Sequence, residues 1–405
     1  MNKIVLSALA ALTIGSVTAN ADDIKLYQDA KGQVFTTAAE GRTELKKSAP
    51  KLASHASKLK FSGLTYVGYT FNDYKDGETS VPGKDFKNDK SNFELRRAYF
   101  QLKAYLLDDP KSYYRVTLDA HQNDDDDLVV RMKYGYLYLN AILPATGVEV
   151  GLVHRPWHDY EEHNAWYFRD IAKVMVEASN SAHLSNSADF GFNFKTKTKY
   201  FDSEVGIFNG EGYHSDFNDD AGDKAGTGMS AEWRATTHML GVSGKDKQDT
   251  KTYFDASFFG QYNMKHKTSA DGVDGNYDDL VFMGLHTVYN MPSLLVSAQY
   301  ILSTDTADNS SYVSAQAGSG YSVNGEYRLG SHKHFRALAR YDSWTNTELS
   351  SSDETAQNTY IAGLAWDQNH NVQWVANATI TDNEDGNGRE KYNGVAYMLT
   401  AQIEF

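Results

Sequence analysis

The run VEVGLVHRPW-HDYEEHNAWYFRDIAKVMVEASNSAHLSNSA-DFGFNFK, Val148 to Lys195, decides how this chain is read. It opens as a strand, breaks into a long irregular segment, and returns as a strand. Long connections without secondary structure are uncommon in compact domains unless they carry a function. Such a gap between two alternating strands predicts a loop that folds back into the lumen of a transmembrane β-barrel and constricts it.

On either side of this run the apolar period is two. Sixteen candidate strands of about ten residues follow one another from Leu59, a length that suits a tilted bilayer span. They fall near 59–73, 92–106, 112–122, 129–141, 147–155, 188–196, 201–210, 228–240, 251–264, 279–290, 293–304, 319–329, 334–344, 358–368, 371–382 and 393–405. The last is the clearest: Val395, Tyr397, Leu399, Ala401, Ile403 and Phe405 share one face, Thr400, Gln402 and Glu404 the other. Connections mostly alternate between short (Leu107–Lys111, Ile142–Thr146, Lys197–Tyr200, Met291-Pro292, Gly330–Lys333, Asn369-His370) and long, with 156–187 the third long one. Short turns on one rim and long loops on the other distinguish an outer-membrane barrel from a soluble sandwich, whose strands alternate equally well. The fold class expected is therefore all-β, a transmembrane antiparallel barrel of sixteen strands.

Composition agrees. Twenty-seven Tyr, 19 Phe and 6 Trp coexist with a mean hydropathy of −0.56, which a barrel with one wet face allows. After residue 21 no apolar run approaches the ~18 residues of a membrane helix. Tyr66, Tyr69, Tyr99, Tyr105, Tyr134, Tyr136, Tyr138, Tyr300, Trp344, Trp366, Trp374 and Tyr397 are expected in aromatic girdles at the two interfaces. There is no cysteine, hence no disulfide frame and no thiolate metal site. A net charge of −14 argues against nucleic-acid binding.

Three domains follow. MNKIVLSALAALTIGSVTANA (1–21) has a positive start, an apolar core and a small-x-small end, the pattern of a signal peptide cleaved after Ala21. Residues 22–58 form an N-terminal periplasmic extension: a small hairpin in DDIKLYQDAKGQVFTT, then an Ala/Lys/Ser-rich stretch with helical propensity on either side of Pro50. Residues 59–405 form the barrel. The terminal aromatic strand ending at Phe405 resembles the signal by which outer-membrane barrels are recognised by their assembly machinery. Lipid and lipopolysaccharide are the other expected partners, and the outer membrane of a Gram-negative cell the expected location.

Phe93-Glu94-Leu95-Arg96-Arg97-Ala98-Tyr99, Val150-Gly151-Leu152-Val153-His154-Arg155-Pro156-Trp157 and Ser187-Ala188-Asp189-Phe190-Gly191 together resemble segments of bacterial porins of the phosphate-selective (Porin O and P) type. The first matches a paired-arginine strand, the second a Gly-x-x-Lys-x-Pro-aromatic strand end in which His154 replaces lysine, the third a return strand. The resemblance implies a trimeric channel, its third loop folded inward, for phosphate or other oxyanions.

A pore selects by its width and by the charges that line it. Strand phase places Arg97, Lys103, Arg115, Arg131, Lys133 and Arg155 inward on neighbouring staves, and Arg234, Arg328, Arg336 and Arg340 on later ones. In the loop, Arg169 and Lys173 would share a helix face were WYFRDIAKVMVE helical. Trp166, Tyr167, Phe168, Ile171, Val174, Met175 and Val176 would press on the wall, while Asp159, Glu161 and Glu162 form an acidic side opposite the arginines. Anions are favoured by such a basic wall, unless Asp119, Glu149, Asp170, Glu177 and the loop acids neutralise it. The expected function is passive diffusion of small hydrophilic solutes and ions. The alternative is a barrel that only anchors a structural or adhesive surface protein.

His154, His158 and His163 lie near acids, but Pro156 interrupts the first two, so no metal is expected there, and no cofactor elsewhere. The acidic run Asp124–Asp127 reads as a solvated rim. No Gly-x-Ser-x-Gly, Walker or His-Glu-x-x-His motif occurs, so no enzyme is expected.

Overall fold

The computed structural model describes residues 27–29, 34–35, 38–44, 56–74, 91–122, 127–210, 212–213, 228–243, 248–268, 277–304, 316–348, 354–384 and 393–405. The signal sequence expected at 1–21, the stretch around Pro50 and most of the long rim loops lie outside these residues.

The chain divides into two units, Met1–His55 and Ala56–Phe405. In the first, β1 (Tyr27–Asp29) pairs antiparallel with β2 (Val34–Phe35), Tyr27 opposite Phe35. A third strand, β3 (Arg42–Glu44), adds to the other edge of β1.

The second unit is a closed barrel of sixteen strands, each antiparallel to its neighbours. They are β4 (Ala56–Tyr74), β5 (Ser91–Leu106), β6 (Tyr113–Gln122), β7 (Leu128–Leu143), β8 (Thr146–His154), β9 (Ala188–Lys197), β10 (Phe201–Phe208) and β11 (Ser230–Leu240). There follow β12 (Tyr253–Thr268), β13 (Tyr277–Met291), β14 (Leu294–Ser303), β15 (Gln316–Leu329), β16 (Phe335–Glu348), β17 (Glu354–Asp367), β18 (Val372–Asn383) and β19 (Gly394–Glu404). Every strand expected from the period-two pattern has its counterpart here. The first begins at Ala56 rather than Leu59. Closure joins β19 to β4, and Gly63 and Phe405 extend the seam by exchanging backbone hydrogen bonds of 3.0 and 3.1 Å. With no open edge, the strands pair all the way round apart from local bulges, which is what allows them to cross a bilayer.

The barrel is polar within and apolar without. On β13, Leu285 is 65% exposed beside His286 at 4%. On β12, Asp255, Ser257, Gln261 and Asn263 are buried, whereas Phe258 and Tyr262 face outward. The outward side chains form a belt for lipid, in keeping with an integral outer-membrane protein. The girdle expectation needs correction. Tyr69, Tyr300, Trp366, Trp374 and Tyr397 do face outward, but Tyr66, Tyr134, Tyr136 and Trp344 are buried inside, and Tyr99 packs edge-on against Tyr66 with centroids 6.1 Å apart. Aromatic residues suit either face of a strand, and only the register separates them.

Candidate functional site

The 156–187 loop lies inside the barrel. Its helix is not where the sequence suggested. WYFRDIAKVMVE runs as successive turns, with hydrogen bonds such as Ala172 N–H to Phe168 O (3.1 Å) and Ala178 N–H to Val174 O (2.8 Å). The helix, α1 (Pro156–Asn164), comes earlier and starts on Pro156, so His154 ends β8 and shares no helix with His158. A first-turn proline gives up an N–H that has no helical acceptor, and its fixed φ suits a helix start. Gly151, at φ +125°, lets β8 approach β7 so closely that a Cβ there would lie 2.4 Å from the Gly135 carbonyl.

Facing the wall, α1 carries a stack and a set of hydrogen bonds. Trp157 lies on Phe259. Tyr160 donates to Asp255 (2.8 Å), Arg234 to the Pro156 carbonyl (3.1 Å), and Gln299 to Glu161 (2.6 Å). Beyond it, Trp166, Phe168, Ile171, Val174, Met175 and Val176 bury against Leu338, Trp344, Ile361, Val375 and Met398. The absent side chains of Gly318 and Gly320 make room for Trp344 and Met175. Arg340 donates to the Lys173 carbonyl (2.7 Å), Thr359 to the Asn180 carbonyl (2.7 Å), and Thr400 to Asp170. Each large apolar side chain so buried contributes roughly 1.5–3 kcal/mol. The loop is thus fastened to the wall from β11 round to β19, and its other side faces β4–β8.

On that facing wall, Arg97 and Arg131 share Asp119 at 3.2 and 3.3 Å. Lys103 lies over the Tyr113 ring, 4.5 Å from its centroid. Arg115 donates to the Tyr136 hydroxyl (3.2 Å) and to His154 Nε2 (3.0 Å) and lies over Tyr134. His154 therefore accepts at Nε2 and donates from Nδ1 to Glu149 (3.2 Å), the arrangement of a neutral ring. Lys133 donates to the Tyr99 hydroxyl at 3.4 Å. It is the extra residue of a bulge: Thr117 pairs with Tyr134 and Leu118 with Met132, leaving Lys133 without a partner across the ladder. Lys133 and Tyr134, consecutive in sequence, thereby both reach the lumen. Neither Arg115 nor Lys133 makes an ion pair with a described carboxylate.

In the loop, Arg169 pairs with Glu162 and with Glu177 (2.8 Å), and Lys173 reaches Glu177 at 3.1 Å. Burial opposes the Glu177 charge, but Arg169 and Lys173 outweigh it and hold the carboxyl well below the usual range. Asp159 faces Lys195 (3.7 Å) and His163 (3.4 Å). Two expected members do not reach the opening. Glu161 lies behind the loop, buried on Gln299, and burial raises its pKa to about 7. Arg155 is 1% exposed and locked to Asp189 (2.9 Å), Glu232 (3.3 Å) and the Gly210 carbonyl (2.7 Å). Nor do the histidines converge: His158 turns to the Ser185 carbonyl at 3.2 Å. Lys195, which the sequence reading passed over, bridges Glu149 and Glu204 at 3.5 and 3.3 Å. Its alternation with Asn193 and Phe194 was the available signal. Arg96, likewise passed over, pairs with Glu94 at 2.6 Å.

Between loop and wall is a cavity of about 750 Å³. Arg115, Lys133, Arg169, Tyr66, Tyr134, Asp159 and Glu162 line it. It continues to the short-turn rim, where His332, His334 and His370 line it too.

No family model and no curated protein matches the chain. Solved structures do. The anion-selective porin from Comamonas acidovorans is 11% identical, with a TM-score of 0.58 over 86% of this chain and 99% of that one. Salmonella typhi OmpF in complex with daunomycin is 11% identical, with a TM-score of 0.59 over 86% and 98%. The trimer form of in-vitro folded OmpT from Vibrio cholerae is 11% identical, with a TM-score of 0.55 over 86% and 99%. The fold is that of an outer-membrane porin barrel. At this identity the likeness is one of architecture.

Proposed function

We propose that the chain is a passive outer-membrane diffusion channel for small hydrophilic solutes, with a preference for anions, phosphate and other oxyanions among them. One observation carries the preference. Arg115 and Lys133 stand in the cavity on tyrosine rings and hydroxyls instead of carboxylates, while the loop cations opposite them are matched by Glu162 and Glu177. Arg115 and Lys133 thus have no direct carboxylate partner where the channel is lined on both sides, and each supplies donors that replace an anion's hydration. A homotrimer is the proposed assembly, supported by the trimeric neighbour described above.

Planar-bilayer recordings across a KCl gradient test this. The reversal potential is expected on the chloride side. A reversal potential on the potassium side overturns the anion preference, and the absence of single-channel steps overturns the channel.

A further inference from the structure

Two tyrosine hydroxyls open into the cavity with no hydrogen-bond partner among the described residues. Tyr66 and Tyr134 are 4% and 8% exposed, both line the cavity, and neither hydroxyl bonds to a described residue. As a rule, hydroxyls of side chains this far buried are bonded within the protein or to water. The neighbours obey it: Tyr99 and Tyr136 accept from Lys133 and Arg115, Tyr160 donates to Asp255, and Tyr167 and Tyr253 meet at 3.3 Å.

A phenol both donates and accepts. Around these two the cavity offers further chemistry of both kinds. Arg115, Lys133 and Arg169 supply cationic donors, while Asp159 and Glu162 supply carboxylate oxygens on the same surface. An inorganic oxyanion accepts hydrogen bonds but has nothing to give the carboxylates, which repel it. A neutral sugar has hydroxyls to give but leaves Arg115 and Lys133 without a carboxylate. A molecule with one carboxylate and several hydroxyls answers both. We propose that this cavity is a binding site for small polyhydroxylated carboxylates of hexuronate size, the carboxylate held by Arg115, Lys133 and Arg169 and the ring hydroxyls by Tyr66, Tyr134 and the two acids. Its volume lies in the range of small-molecule sites. The site deepens the channel reading, on which it rests for solute access.

Isothermal titration of the refolded, detergent-solubilised full chain tests it, with D-glucuronate, D-glucose, cyclohexanecarboxylate and inorganic phosphate as probes. Glucuronate is expected to bind at least about tenfold more tightly than any of the other three, the margin of one to two added hydrogen bonds. Tyr66→Phe and Tyr134→Phe should each weaken it about fivefold while the barrel keeps its heat-modifiable gel mobility. Cyclohexanecarboxylate or phosphate binding as tightly as glucuronate overturns the proposal, since charge alone then suffices. Unchanged affinity in both Phe variants also overturns it, the hydroxyls then serving water only. Parallel bilayer recordings separate the two readings. Conduction without glucuronate binding overturns the site alone, whereas binding by a protein that does not conduct supports the site and overturns the channel.

Discussion

The indole of Trp157 lies flat on the ring of Phe259, with centroids 3.7 Å apart and planes 4° from parallel. One ring belongs to the loop helix and the other to the inner face of β12, so this stack is where α1 is fastened to the wall. Truncating a buried aromatic costs about 3–5 kcal/mol. Trp157→Ala is therefore expected to loosen the loop, raising single-channel conductance and exposing 156–187 to added protease, while the barrel keeps its heat-modifiable gel mobility. Unaltered conductance and protection would show that the other fastenings suffice.

Arg115→Gln combined with Lys133→Met removes the two cations without a carboxylate partner. The chloride-to-potassium permeability ratio should fall by at least about twofold, read from the reversal potential. Arg97→Gln should change it less, because Arg131 remains on the same Asp119.

Arg155 gives the opposite expectation. Arg155→Ala leaves Asp189 and Glu232 buried without their guanidinium, and breaking such a buried pair costs about 3–5 kcal/mol. Urea unfolding should shift to lower concentration, with ion selectivity preserved in the molecules that fold.

The loop's docking should depend on pH from two sides. Burial raises Glu161 from 4.5 to about 7 in the docked loop, so the docked state holds the extra proton, and docking weakens as pH rises from about 4.5 through about 7. Burial lowers His158 from 6.5 to about 3, so the released state holds that proton, and docking weakens as pH falls below about 6.5. The two slopes cancel between about 4.5 and 6.5. Conductance is expected to be lowest and flat there, and higher at pH 7.5 and at pH 3.5. In Glu161→Gln the rise toward pH 7.5 should vanish while the acid limb persists; a rise that survives the substitution would place its origin elsewhere.

The sixteen strands were legible because the lumen is wet and the belt apolar, so the sequence alternates as the environment does. The loop was legible as a gap, and the apolar side of Trp166 to Val176 as a run with no place to go but a wall. Three particulars were not legible. Pro156 keeps His154 and His158 off one helix, as expected, but that a helix starts on it depends on the strand ending at His154. The bulge at Lys133 puts two consecutive residues on one face, which a strict period of two cannot express. Arg155 points inward as expected, yet Asp189 and Glu232, from distant parts of the chain, withdraw it from the opening. Facing is a local property of a strand, whereas pairing is a property of the closed barrel.

The hydrogen bond from Thr400 to Asp170 ties the loop to β19, and β19 is the strand that completes the ring by meeting β4 at Gly63 and Phe405. One strand thus carries both the closure of the ring and an anchor of the constriction, so a change at Thr400 bears on both.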